Sequence, residues 1–327
     1  MLKSWIARQR ARWRHLERKA DRQLMLTAAV IAEANRARVR LGGLQAVEFC
    51  AYSQWGEDGI LDWLIERLAP VPRSFIEFGT DDYRESNTRF LLQKRNWRGM
   101  VIDSSAANVE FIRGDELFWR YDLQATCAFV TKDNINRLIT DARLGREVGV
   151  MSIDVDGNDY WIWKAIDVVS PVIVVCEYNA VLGDLHELTV PYAAEFQRKS
   201  AHSSTLYFGA SVKALIMLAE EKGYDFVGTN SAGCNAFFVR KDVSAHVVEA
   251  LDARYMFPSR FRESRDEQGH STHLNGPDRV EAIGVMPLVD VRLSQLTCLR
   301  NLKLVTSAAW AAAEPTQFAR LRAGYTE

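Results

Sequence analysis

From residue 55 onward, short apolar runs alternate with stretches of helical periodicity, and this alternation constrains the fold more than any other feature of the chain. A strand that is apolar on both faces has to be covered on both. A helix between two such strands returns the chain in the same direction, so the pattern predicts a doubly wound α/β domain with a mostly parallel sheet. The runs are Ser74–Phe78, Gly99–Ile102, Cys127–Val130, Val148–Ile153 and Val172–Cys176. Ile60, Leu61, Leu64, Ile65 and Leu68 share one helical stripe that Pro70 and Pro72 end. Ser86 is positioned to cap a helix over Asn87–Lys94, and another helix falls near Lys132–Ile139. Ala180–Phe208 is too long and too strand-poor for a simple connection and reads as a lid or substrate loop. Val212–Lys222 reads as a helix closed by Gly223. Asp225–Gly228 and Ala236–Val239 read as an antiparallel hairpin at the sheet edge. A helix near Ala245–Ala253, a polar stretch over 258–279, a strand-like segment Ala282–Val291 and a peripheral tail from about Ala308 complete the chain.

Length and composition fit one large α/β domain with extensions: 327 residues, 48% apolar, 25% charged and a formal net charge of -1. Nothing in that balance calls for nucleic acid. Five scattered cysteines, with Cys127 and Cys176 in apolar runs expected to be inner strands, point to reduced thiols in a cytoplasmic protein. Charge is unevenly placed. Residues 1–40 carry eleven Lys and Arg against Glu17, Asp21 and Glu33, a balance of +8, which leaves -9 on the remainder. With no Pro or Gly before Gly42, this segment predicts one long basic helix that fits neither a secretory signal nor a bilayer span. It suits packing on a partner subunit, as in a dimer. Docking on an anionic membrane surface through Trp5, Ile6, Trp13 and the arginines is the alternative. The expected organisation is a basic helix over 1–45, a core domain over 46–242 and a cap or extension over 243–327.

Ligands of open α/β sheets sit at the carboxyl ends of the strands, where these runs end in acids. In Phe75-Ile76-Glu77-Phe78-Gly79-Thr80-Asp81-Asp82, the glycine after a strand lets backbone amides approach a ligand, and Glu77 can bond a cationic amino group. Such a glycine is also an ordinary structural device. Asp103 stands 24 residues beyond Gly79 at the end of the next run, where an acid can accept bonds from both ribose hydroxyls of a nucleoside. A surface acid that merely ends a strand is the plain alternative. Ser152-Ile153-Asp154-Val155-Asp156-Gly157-Asn158-Asp159 and Cys176-Glu177-Tyr178-Asn179 end neighbouring strands and should converge. Asp154, Asp156 and Glu177 are candidate general bases. Asp154, Asp156, Glu177 and Asn179 offer hard oxygen ligands for Mg²⁺ or Mn²⁺, with Asp154, Glu177 and Asn179 the preferred set. Asp156 and Asn158 holding a turn by bonds to backbone is the competing view. His202, His270 and His273 are spare bases on loops, and Arg254, Arg260, Arg262, Arg265 and Arg279 could face an anionic group or simply water.

In these motifs the sequence resembles the FkbM-like family of AdoMet-dependent methyltransferases. The matching residues are Ser53-Gln54-Trp55-Gly56-Glu57-Asp58-Gly59-Ile60, Phe75-Ile76-Glu77-Phe78-Gly79, Asn87-Thr88, Ser152 to Asp159, Val175 to Asn179, Tyr207 to Ser211 and Asn230 to Val239. The resemblance spans roughly residues 50–242. It implies a seven-stranded Rossmann-like methyltransferase sheet with a reversed last strand, and S-adenosyl-L-methionine over the ends of the first two strands, held by Glu77, Gly79, Asp81 and Asp103. It also implies O-methylation of a sugar, glycan or small-molecule hydroxyl. Where the family's cofactor loop carries further glycines, this chain has Thr80-Asp81-Asp82-Tyr83. Two rival readings stand beside it. One is a metal-dependent sugar-nucleotide glycosyltransferase using Asp154-Val155-Asp156, and the other a non-catalytic binding module on the same fold.

Overall fold

Buried along its whole length, Ser74–Phe78 (β1) needs partners on both sides. It has them in the computed structural model of this chain, which describes residues 2–313. Parallel strands Arg98–Asp103 (β2) and Glu147–Ile153 (β4) flank it, Leu123–Cys127 (β3) lies outside β2, and Ser170–Glu177 (β5) pairs with β4. Leu188–Thr189 (β6) leaves the sheet. Tyr224–Thr229 (β7) and Asn235–Arg240 (β8) form the hairpin, and β8 is antiparallel to β5. The strand order is β3-β2-β1-β4-β5-β8-β7, so the sheet is parallel except for β8.

Side chains alternate between two cores, as a strand's two-residue period requires. Phe75, Val101, Val150, Ile173, Val175 and Phe237 pack on one face with the helix Glu57–Leu68. Ile76, Met100, Met151, Val174, Cys176 and Phe238 pack on the other with the helices Asp159–Ala165 and Val212–Glu221.

The expected third strand, Cys127–Val130, is displaced: β3 runs over Leu123–Cys127. As an edge strand it is buried only at alternate positions, so its true span lacks the solid apolar run that marks the inner strands. The apolar residues after it lie where the chain turns away, and Cys127 is exposed rather than buried. Ser86 does not cap a helix; the helix is Arg89–Arg95 behind Thr88. Ala282 ends the helix Gly276–Ala282, and only Leu288–Asp290 (β9) of the expected Ala282–Val291 strand is extended. β9 pairs with both β6 and Gln295–Thr297 (β10), forming a small second sheet that ties the 180–208 loop to the C-terminal extension. The tail is not peripheral at its start, because Trp310 is buried in the second core; residues 314–327 of that tail lie outside the described ones.

Ser211 links the loop to the core. Its hydroxyl accepts from Ala214 N–H and Leu188 N–H (both 3.1 Å) and donates to the His186 carbonyl (2.7 Å). Losing a helix cap and leaving a buried N–H unpaired costs about 1–2 kcal/mol. Ser211→Ala should therefore lower the thermal midpoint by several degrees in a denaturation scan, and an unchanged midpoint would refute this linking role.

Candidate active site

Because β1, β2 and β3 run outward one way and β4 and β5 the other, the strand order reverses between β1 and β4, which is where an open α/β sheet leaves a crevice. Gly79 sits there at φ +71°, its N–H bonded to the Ile102 carbonyl (2.9 Å). A Cβ on it would come within 1.7 Å of the Asp154 carbonyl oxygen. Glycine is thus required at the seam where the β1 and β4 loops cross.

A cavity of about 620 Å³ opens beside this seam, bounded by Gly79, Thr80, Asp81, Asn108, Asp154 and Asn235. Glu77 also lines it, yet both its oxygens are already engaged. They accept from Ser86 Oγ (2.6 Å), Asn87 N–H (2.8 Å), Thr88 N–H (3.2 Å) and the Thr88 hydroxyl. The Ser86 hydroxyl, expected at a helix cap, is used to wrap this segment around Glu77. Burial pushes the Glu77 carboxyl above its usual range, against the pull of these donors. Asp103 does not line the cavity. It accepts from Ser105 N–H (2.8 Å) and Asn108 Nδ2 (3.1 Å), and Asn108 also reaches Asp81 (3.4 Å). Asn108 therefore carries the position of Asp103 to the cavity wall. Thr80 Oγ1 is buried on that wall with no hydrogen-bond partner.

Beyond Asp154 lies an acid cluster. Carboxylate oxygens of Asp154, Asp159 and Glu177 all lie within 4.8 Å of one another. Asp159 takes the place expected of Asn179. The Asn179 amide is spent on the Leu206 and Phe208 carbonyls (2.8 and 2.9 Å) and on Val181 N–H (3.0 Å), so it holds the loop. Asp159 accepts from Val155 N–H (2.8 Å) and Gly157 N–H (3.0 Å), thereby holding the turn for which Asp156 and Asn158 were candidates. Asp156, at φ +54°, pairs instead with Arg198 at 3.0 Å. The two carboxylates of the Asp-x-Asp sequence therefore do not share one cluster.

Arg198, which no sequence motif marks, faces this cluster. Its guanidinium stands 3.9 Å from Glu177, donates to the Thr205 carbonyl (2.8 Å) and lies 3.7 Å from the Phe208 ring centre. It is the positive counterweight to the cluster. Even so, burial and then the charges of Asp156 and Asp159 drive the Asp154 carboxyl well above its ordinary range. Burial and then Asp154 do the same to Glu177, whose Oε2 is buried without a hydrogen-bond partner, and burial raises Asp159 to about 6.

The Ser53-to-Gly59 motif supports the other side of the cavity. One Asp58 oxygen accepts the N–H groups of Ala51, Tyr52 and Ser53 (2.7, 2.7 and 2.8 Å), and burial raises this carboxyl to about 6. Fully buried Glu57 accepts from the side chains of Asn230 (2.7 Å) and Asn235 (2.8 Å). Two motifs distant in sequence thus meet on one carboxylate at the cavity edge. Trp55 packs edge-on against Phe261 at 4.4 Å from the region after β8.

The loop arginines mostly brace their own region. Arg254 donates to the Phe226 carbonyl, Arg262 to His273, Arg265 to Gly269 and Arg279 to Phe261. Arg260 faces Glu48 electrostatically. His202 bonds Ser204 (2.8 Å) and His270 sits 3.3 Å from Asp266, so neither joins the acid cluster. His273 lies exposed at φ +53°.

No protein-family model and no curated protein matches the chain. Among solved structures it is similar to the N-terminal domain of EvdMO1, crystallised in the presence of SAH and D-fucose, at 12% identity over 56% of this chain and 82% of that one, with a TM-score of 0.37. It is similar to an O-methyltransferase from Bacillus cereus in complex with SAH, at 12% identity over 67% and 89% of the two chains and a TM-score of 0.37. An S-adenosylmethionine-dependent methyltransferase from Clostridium acetobutylicum matches at 9% identity over 58% and 93%, with a TM-score of 0.35. The likeness concerns the fold alone.

Proposed function

We propose that this protein is an AdoMet-dependent methyltransferase that transfers the methyl group to a hydroxyl of a sugar, glycan or small molecule. The observation that carries the proposal is the cavity at the switch point between β1 and β4, bounded by a glycine seam and by carboxylates and amides. These groups fit the cofactor's chemistry. Asp81 and Asn108, with Asp103 behind them, offer acceptors and an amide to ribose hydroxyls. Thr80 Oγ1 is an unspent donor, and the acidic walls suit a sulfonium and an ammonium group. Glu77 acts in this reading by holding residues 86–88 in shape.

The bound cofactor supplies an electrophilic methyl group. The chain's own residues orient the acceptor and take its proton. Asp154 or Glu177, whose carboxyl groups burial and neighbouring acids raise and so make more basic, is suited to accept a hydroxyl proton. The same carboxylates give a second role for this cluster. Asp154, Asp159 and Glu177 are hard oxygen donors that would hold Mg²⁺ or Mn²⁺ and polarise the acceptor oxygen, and the unpaired Glu177 Oε2 favours this.

The reaction is tested by incubating the protein with methyl-labelled AdoMet and a panel of sugars, nucleotide sugars and small alcohols, with and without Mg²⁺. Label in a hydroxyl-derived ether is the expected product. Label only in amine or carboxyl-ester products would contradict transfer to a hydroxyl, and cofactor binding without transfer to any acceptor would favour a binding module.

A further inference from the structure

The helix Leu2–Arg36 touches the rest of the protein along a narrow face. Asp21, Met25, Ala28, Ala32 and Asn35 recur at three- and four-residue spacing on that face. Ala28 and Ala32 are buried, Met25 packs in the Tyr52–Phe90 cluster, and Asn35 donates to the Val47 carbonyl (3.0 Å). Asp21 pairs with Arg89 (3.4 Å).

The opposite face carries a second regular stripe: Trp5, Arg12, Leu16, Lys19, Gln23, Leu26 and Val30, all exposed. Trp5 is 55% exposed, Leu26 68% and Val30 70%, more open than a solvated helix needs for its large apolar residues. The side chains of Ile6 and Trp13 lie outside the described ones.

We propose that this outer stripe lies on an anionic lipid surface, with the α/β domain held above it by the inner face. Charge selects the occupant. The first 40 residues carry a balance of +8, and from Trp5 to Val30 the stripe contains Arg12 and Lys19 but no acid, while Glu33, one turn further on, is bonded to Arg36 (3.0 Å). A second copy of the helix meeting it in parallel would set Arg12 against Arg12 and Lys19 against Lys19. Turned antiparallel, it would offer only Glu33, one turn beyond Val30 and already bonded to Arg36 (3.0 Å). Lipid phosphates supply the missing anions, while Trp5, Leu16, Leu26 and Val30 enter the headgroup boundary and the long basic side chains reach up to the phosphates. Among the described residues no helix is long and apolar enough to cross a membrane, so the contact is peripheral. This proposal does not rest on the methyltransferase reading.

The test is co-sedimentation of the full chain with extruded vesicles of phosphatidylcholine alone, or with about a third phosphatidylglycerol, at low and high salt. The expected result is binding only to the phosphatidylglycerol vesicles, at least roughly ten-fold weaker in high salt. Arg12→Ala with Lys19→Ala should weaken it by roughly twenty-five-fold, about five-fold per basic residue, with an unchanged thermal midpoint. Equal binding to neutral vesicles, or none to anionic ones at low salt, would overturn the proposal. So would a dimer in light scattering that Leu26→Asp with Val30→Asp dissociates, which would assign the stripe to a second copy.

Discussion

Gly79→Ala is expected to lower the thermal midpoint by about 10 °C and to abolish cofactor binding at accessible concentrations. Two effects add. A residue with a Cβ held at φ +71° costs about 1–2 kcal/mol in backbone strain. The new Cβ also meets the Asp154 carbonyl oxygen at 1.7 Å, and backbone cannot give way as a flexible side chain can, so overpacking costs a further ~1–3 kcal/mol. Relief requires the β1 and β4 loops to separate, and these two loops bound the cavity. Thermal denaturation and AdoHcy titration of the variant check both parts. A variant with wild-type midpoint and affinity would show that the seam is not close-packed.

Glu177→Gln is expected to reduce turnover by roughly 10²–10⁴-fold while making the metal-free protein more stable at pH 8. The two effects have one cause. Burial and the neighbouring Asp154 raise the Glu177 carboxyl above its value in an unfolded chain, and burial likewise raises Asp154 and Asp159. The folded state therefore holds protons that the unfolded state has released, and its stability falls as pH rises through the folded-state values, about 6 at Asp159. Removing one charge relieves that penalty. The gain should appear in melts at pH 8 in a chelating buffer and fade towards pH 5, below the value of about 6 at Asp159. A variant less stable than wild type at pH 8 would mean that Arg198 and the hydrogen bonds already outweigh the repulsion.

The inner strands were legible because burial on both faces leaves a solid apolar run, and β1 is identical in the sequence reading and the structure. β3 was misplaced because an edge strand shows only alternation, while the solid apolar run that marks an inner strand lies just beyond it at residues 127–130. The acids after β4 and β5 were legible as a group, but their partners were not. Asp159 lies at the start of a helix and looks like an ordinary first-turn acid, and only the fold turns it back under residues 155–157. Arg198 joins the cluster from the first position of a one-turn helix, Arg198–Ala201, too short to show periodicity, so no local signal marks it. Asn108 was hidden in a helix's first turn behind Asp103. Glu57 stood in a recognisable motif, yet its partners Asn230 and Asn235 lie more than 170 positions away.

In the proposed function the pocket beside Gly79 receives the nucleoside of AdoMet through Asp81 and Asn108. Isothermal calorimetry with AdoHcy tests it most directly. Saturable one-to-one binding is expected in the wild-type protein, and roughly ten-fold weaker binding in Asn108→Ala, the loss of about one hydrogen bond held by charged neighbours. No heat at high AdoHcy concentration, with or without Mg²⁺, or binding that Asn108→Ala leaves unchanged, would contradict it.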